Sequence, residues 1–591
     1  MSSRTLGIRK FDRILLASSI EMIVDILIGL IDSAVTGHVI GMAGLSAMNV
    51  IAPALGFTVF TENLFSVGTS MLYAKHTGEY QREASERVFG MGLGLSTLVG
   101  VLTFGAVTLF LPAYLDAMGV YGHVREYITI YMSFLRFELL LSPIYEVLNL
   151  LITTDGDEFL SMAAEIARPL LNIALSIWLG RRYGMSGIGI GTLVSTVVAF
   201  TILTFHFLSK RSSLRPKPWF SWADLRSMLV FGWNDSAMFF VLPALFFVVT
   251  KLVVLRYGET YLPVLTVLYA IIEITGVFEA TGEGMRAIMP IYIGDRNNLA
   301  ILRLTKHSRR INQIFGFMFS AVLLVSADWI PLAFDIDDPQ LLTLCARGIR
   351  LYAIACPALS EIALVNSFYL NTGRPGIAVL ETLLAQLICP LVLVVPLIFL
   401  LGLNGIFIGF AASAYLALLI LGVVIYSRFG KASFPYCLEG NNYPMLNEEI
   451  ALDDECVMAF VNRVDAFLLK NGVPNKTTVL AELACEEYLL FTKDRNNGKQ
   501  VEAECCVRIE PDSVVFSIWD TGEVFDLTDE NAVPNSVRAY VVASLMERQA
   551  GKKHMVATSF NRNSFSFPIT DMNISVCQNA GVTLTTPTAP A

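Results

Sequence analysis

Three carboxylates, Glu21, Asp25 and Asp32, fall inside the first apolar run of this 591-residue chain. Their spacings of 4 and 7 residues place them on one face of a helix. A charged side chain in the centre of a hydrocarbon layer costs roughly 2.5–3.5 kcal/mol on insertion scales. A stripe of three must therefore face water or the interior of a helix bundle. Two chemistries suit it: a buried carboxyl that exchanges a proton, or a carboxylate that holds Na⁺ among neutral oxygens. Ion pairing to another helix is the structural alternative; the position of Glu21 near one end of the run favours it there, whereas Asp32 favours function. Glu62, Glu138, Glu146, Asp235, Glu273, Glu279 and Glu361 also lie within or beside apolar runs, and Lys251 is a lone cation in the seventh. Most of these are expected as ion pairs or cavity lining.

The elements that must position such groups follow from composition. The chain is 54% hydrophobic and 16% charged, with mean hydropathy +0.59, against about 25% charged in ordinary soluble domains. A spanning helix takes roughly 20 apolar residues, and about twelve such stretches can be placed between Ile14 and Tyr426. Basic clusters precede the first stretch (Arg9, Lys10, Arg13) and follow the second (Lys75, Arg82, Arg87) and the sixth (Lys210, Arg211, Arg215). Others follow the eighth (Arg303, Lys306, Arg309, Arg310) and the twelfth (Arg428, Lys431). An even count puts all of them on one side, with Arg181 and Arg182 as the exception, so both termini are expected in the cytoplasm. The first run contains acids and lacks an A-x-A site, so it does not read as a cleavable signal.

Charge divides the chain. Residues 431–591 hold 13 Lys+Arg against 22 Asp+Glu, which accounts for the whole net charge of −9. The first 430 residues balance, and no basic patch suggests nucleic acid as a partner. All nine cysteines lie beyond residue 344 without metal-ligand spacing, which reads as reduced and intracellular, with no metal site.

The apolar part repeats itself. Gly68 and Gly78 recur as Gly284 and Gly294, 216 residues on. Asn149 and Gly156 recur as Asn366 and Gly373 at 217, and Gly184–Gly191 recurs as Gly402–Gly409 at 218. Six spans separate the copies, so both copies have the same orientation, as in two-lobed transporters with a cavity between the lobes.

Gly29-Leu-Ile-Asp32-Ser-Ala-Val-Thr-Gly37 resembles the first-helix signature of the multidrug and toxic compound extrusion (MATE) family. The glycine-ended second-helix segment of both copies and Leu151-Ile-Thr-Thr-Asp-Gly156 are similar to that family too. The likeness covers roughly residues 10–430. It implies twelve transmembrane helices in two six-helix lobes, 1–215 and 216–430, and export of cationic or amphipathic compounds by alternating access, driven by H⁺ or Na⁺. It also implies a cation site: Asp32 and Asn172 match, and Thr192 supplies the hydroxyl, with Ser195 as its alternative. Ser176 stands where the family has a fifth-helix Asp. Losing that charge disfavours Na⁺ and leans the coupling ion towards H⁺. Glu361 fits a branch with a tenth-helix acid twelve residues before its closing glycine, although the seventh-helix acid of that branch is missing near Leu242. Asp25, Glu21 and Glu273 are cavity candidates.

Beyond a linker at 431–446, a small α+β domain is expected over 447–570, followed by a tail at 571–591. Leu446–Leu469, Thr477–Phe491 and Ser536–Gln549 carry helical spacing. Residues 503–509 and 513–519 alternate as strands, and 553–569 reads as a hairpin. This order resembles the histidine-kinase-like ATPase domain of anti-sigma-factor serine kinases. Glu486 and Glu487 match the start of its first nucleotide motif, and Asp520 with Gly522 its second. Phe491 replaces the Mg²⁺-ligating Asn and cannot ligate magnesium, so the domain reads as degenerate and the chain as no enzyme.

The sequence thus describes a bacterial inner-membrane exporter, without cofactor beyond its coupling ion. Its partners would be lipid, a small cationic substrate and a cytoplasmic regulatory protein at the tail domain. A membrane sensor or flippase-like protein signalling through that domain is the alternative.

Overall fold

A computed structural model describes residues 5–40, 42–209, 212–334, 336, 338–430, 436, 443–496, 499–528, 542 and 551–569. Within helices, the side chains of 25–39, 42–43, 45–46, 49, 52–53, 238, 259 and 333 fall outside the description. The chain divides into two compact units. One comprises Gly7–Gly294 and Ile301–Glu439; the other comprises Met1–Leu6, Asp295–Ala300 and Gly440–Ala591.

The larger unit is helical. Its first half holds α1 (Leu6–Ile40), α2 (Met42–Gly78), α3 (Arg82–Ala117), α4 (Gly122–Asp155), α5 (Glu158–Tyr183) and α6 (Met185–Thr204). The second half opens with α7 (Trp222–Tyr257), α8 (Leu262–Ile274), α9 (Ala280–Gly294), α10 (Asn298–Ser326) and the single turn α11 (Ile330–Ala333). It closes with α12 (Pro339–Ala353), α13 (Cys356–Asn371), α14 (Pro375–Leu383), α15 (Cys389–Leu401) and α16 (Asn404–Phe429). A 3-10 turn over Thr275–Glu279 joins α8 to α9, and a π turn over Leu384–Ile388 joins α14 to α15.

Seven stretches among the described residues are long and apolar enough to cross a membrane, and α12 with α13, bent by 47°, would make an eighth. The remaining expected spans fall on α1, α2, α4 and α10, which run 35, 37, 34 and 29 residues. Each is longer than the roughly 20 residues a bilayer needs, and each carries charged residues along its length, such as Glu62 in α2 and Arg136, Glu138 and Glu146 in α4.

Two repeated glycine pairs have physical reasons. Gly156 (φ 105) and Gly373 (φ 77) adopt left-handed backbone where α4 and α13 end, a conformation that a side chain disfavours. Gly78 and Gly294 allow α2 and α9 to touch backbone to backbone. A Cβ on Gly294 would lie 1.8 Å from the Gly78 carbonyl oxygen, and one on Gly78 would lie 2.1 Å from that of Pro290. The helices α2 and α7 cross as closely, with Gly68 against the Met228 carbonyl and Gly232 against that of Leu64.

Among the described residues the smaller unit is an antiparallel five-stranded sheet, ordered β1-β2-β3-β5-β4, with two helices. Its elements are β1 (Met445–Ala451), α17 (Asp454–Lys470), α18 (Asn475–Arg495), β2 (Glu502–Ile509), β3 (Ser513–Asp520), β4 (Lys553–Ala557) and β5 (Phe560–Pro568). Val457, Phe460, Val464 and Leu468 at helical spacing pack with Val507, Phe516 and Phe565 in one core. The helix expected from Leu446 is instead strand then helix. Leu446 and Ile450 are four apart, which reads as one turn, but β2 supplies a ladder from Met445↔Arg508 to Ala451↔Glu502. Long-range pairing overrides local spacing here. The side chain of Asp453 then caps α17 by accepting from the Cys456 amide at 2.7 Å. The helix expected over Ser536–Gln549 lies outside the described residues except at Val542.

Asp295–Ala300, which links α9 to α10 and includes the first residues of α10, belongs to this sheet unit. The Asp295 carboxylate accepts from Trp519 Nε1 at 2.7 Å and from Arg562 Nη2 at 3.0 Å. Its carbonyl accepts from Arg508.

Candidate functional site

The expected cation-site residues on α5 and α6 converge. Ser176 Oγ donates to Asn172 Oδ1 at 3.0 Å, and Thr192 Oγ1 donates to the same oxygen at 3.2 Å. Asn172 and Ser176 lie one turn apart on α5, and Gly191 lets α6 approach Ser176, where a Cβ would meet Ser176 at 3.1 Å. Ser195, the alternative hydroxyl, donates to the Thr192 carbonyl instead. This knot presents neutral oxygens and an amide. Asp25 and Asp32 lie on α1, and their side chains fall outside the described residues. Glu21 is half-buried on α1, and Glu273 is exposed on α8.

Glu361, on α13, is held by three donors. Arg309 Nε lies at 3.0 Å, Gln313 Nε2 at 2.9 Å and the Tyr436 hydroxyl at 3.0 Å. The sequence reading missed Arg309 and Gln313 as its partners; both come from α10, some fifty residues earlier.

Two further polar centres lie among the helices. In the first half, Arg168 of α5 lies 3.6 Å from both Glu146 and Glu165 and stacks over Tyr145. Glu165 accepts from Asn149 Nδ2 at 3.0 Å, and Glu62 accepts from Ser142 at 3.0 Å. In the second half, Arg286 of α9 bonds Asp235 at 2.8 Å and lies 3.2 Å from Glu283. Asn234 donates to Asp235 and to Asn366 Oδ1, both at 3.0 Å. Asn366 in turn donates to Thr382 Oγ1 at 3.0 Å and to Glu381. The repeat had singled out Asn149 and Asn366. Scanning one further helix from each asparagine for an acid would have found Glu165 and Glu381.

Aromatic rings gather where α2 and α7 cross. Phe60 lies 4.7 Å from Phe240 and 5.9 Å from Trp233, and Phe57 lies 6.3 Å from Phe240. Phe57, Trp233 and Phe240 are substantially exposed.

In the sheet unit, Glu486 and Glu487 are half-buried on α18. Asp520 is fully buried, accepting from the Gly522 amide at 2.9 Å and from Asn561 at 2.8 Å. Phe491 packs edge-on against Phe525.

The family model MatE matches residues 17–178. No curated protein matches the chain. Among solved structures, an outward-facing multidrug resistance MATE family transporter of the MOP superfamily is 19% identical. The alignment covers 72% of this chain and 96% of that one, at a TM-score of 0.67. A MATE in complex with MaL6 gives 19%, 72%, 97% and 0.66 in the same order. A MOP superfamily transporter from Pyrococcus furiosus, whose binding pocket of reverse polarity suggests a different function, gives 20%, 72%, 96% and 0.65. The helical unit therefore has the MATE transporter fold. The chain is a multi-pass membrane protein.

Proposed function

We propose that the chain is a MATE-family secondary antiporter that exports cationic or amphipathic compounds by alternating access between two six-helix lobes. The likeness of the helical unit to almost the whole length of known MATE structures carries this reading. Asp32 takes up and releases the coupling ion, and Asn172, Ser176 and Thr192 supply neutral oxygens for it. Neutral oxygens in place of the fifth-helix carboxylate favour H⁺ over Na⁺. The exposed aromatic faces of Phe57, Phe240 and Trp233 suit flat cations. Glu361 serves the second lobe as an ion-paired acid, opened when Arg309 moves. The sheet unit is a degenerate ATPase-like domain that binds a cytoplasmic regulator; Phe491, packed against Phe525 where a magnesium ligand would be needed, supports the degenerate reading. The chain resides in the inner membrane with both termini cytoplasmic, in keeping with its basic loops.

Ser176 in place of an acid favours a second reading, a membrane sensor that reports through the sheet unit. Everted vesicles under separately imposed proton and sodium gradients distinguish the two. Dye efflux should follow the proton gradient and vanish in Asp32→Asn. Absence of efflux under either gradient, for a panel of cationic dyes, would sink the export reading.

A further inference from the structure

Both halves of the helical unit pair an asparagine with a buried glutamate on the next helix, but only one pair includes an arginine. In the first half, Glu165 lies sixteen residues after Asn149, and Arg168 lies nineteen after it. The second half sets Glu381 fifteen residues and Thr382 sixteen residues after Asn366, and Asn366 donates to both. Ala385 lies nineteen residues after Asn366, where Arg168 stands in the first pair. Glu381 is 4% exposed. Among the described residues, no Lys, Arg or His lies within ion-pair distance of it.

The surroundings of Glu381 keep cations away. Helix α13 presents Asn366, and α7 presents Asn234, whose Oδ1 accepts from Thr382 at 3.1 Å. Arg286 is committed to Asp235 and Glu283. Glu279, whose charge acts on Glu381, is of like sign. Thus a chain of amides, Asn234 and Asn366, stands between the arginine ion pair and the lone carboxyl. The helix also changes form three residues on, with the π turn at Leu384–Ile388, a feature that concentrates at functional sites.

We propose that Glu381 is a proton-binding site of the second half, positioned by Asn366 and Thr382, whereas Glu165 is fixed as an ion-paired carboxylate. A carboxylate in an apolar interior with neutral partners has no charge to balance its own, and a proton supplies that balance. The proton adds to a carboxylate oxygen and leaves from it; no other bond changes. This deepens the transport reading by giving the second half its own protonation site, apart from Asp32 and Glu361.

The test does not depend on transport. The full-length protein in detergent is treated with dicyclohexylcarbodiimide, which modifies protonated carboxyls in apolar surroundings, and the peptides are read by mass spectrometry. Modification should appear at Glu381 and not at Glu165, and should fall about tenfold per pH unit above its midpoint. Ala385→Arg, which places a guanidinium one turn from Glu381, should suppress it. Arg168→Leu should make Glu165 reactive, and asks the same question if Ala385→Arg fails to fold. Equal modification of Glu165 and Glu381 in the wild type, or none at Glu381 from pH 5 to pH 9, would overturn the proposal. Dye movement by the wild type, measured separately in proteoliposomes, decides the transport reading. Modification of Glu381 without such movement would remove transport and leave the proton site standing.

Discussion

Arg562 and Asp295 are among the most deeply buried charges in the chain, with side chains 0% and 2% exposed. Together with Trp519 they form one cluster within the sheet unit: one carboxylate oxygen takes the guanidinium, and the other takes the indole N–H. The face of Trp519 lies 5.6 Å from the guanidinium carbon and also stacks on Phe560. Removing one member of such a pair leaves a buried charge without its partner. Arg562→Met should therefore cost about 3–5 kcal/mol, read as a lower denaturation midpoint of the sheet unit in the full chain. Adding Asp295→Asn to that variant should recover part of the loss, since the stranded charge then disappears. No recovery would mean that the packing of Arg562 matters and its charge does not.

At the scale of the element, α17 depends on its first turn. Asp453 accepts from the Cys456 amide, and that bond to a backbone N–H is the main cause that holds its carboxyl below the usual Asp range. A depressed carboxyl contributes stability above its unfolded value of about 3.9, and this contribution is lost as pH falls through the lower folded value. Asp453→Ala should accelerate amide exchange in the first turn of α17 relative to wild type at pH 7. The ratio should shrink towards one as both proteins are compared at increasingly acid pH. A ratio constant with pH would show that the cap acts without its charge. The same element explains the boundary with β1, because the chain before Asp453 is committed to pairing with β2.

The whole helical unit turns on close contacts of backbone. Where α2 meets α9, glycine on both sides allows a separation no side chain would permit. Alternating access between the halves, as proposed above, would require this crossing to open and close. Gly294→Ala places a methyl within 1.8 Å of the Gly78 carbonyl oxygen, so the helices must part by more than an ångström. The variant should populate the arrangement in which α2 and α9 are apart. Increased labelling of an engineered cysteine near the crossing, in the absence of substrate, would register this. Unchanged labelling would mean that the contact does not limit the conformational equilibrium.

Much of this was legible in order and spacing. Periodicity fixes which residues share a face of one element, so the two glycine-marked copies and strands β2 and β3 could be read directly. The knot on α5 and α6 was foreseen only through resemblance, because Asn172 and Thr192 sit on different helices. Pairing across distance was decided by tertiary structure alone. Glu361 found Arg309 on α10, and Asp295 was taken into the sheet by Arg562, 267 residues away in sequence. Glu381 differs from Glu165 in having no guanidinium within ion-pair distance among the described residues, and its surroundings are assembled by α7, α9 and α13. Spacing along one helix determines which way a carboxyl faces. Whether a cation, an amide or a proton meets it depends on which helices pack around it.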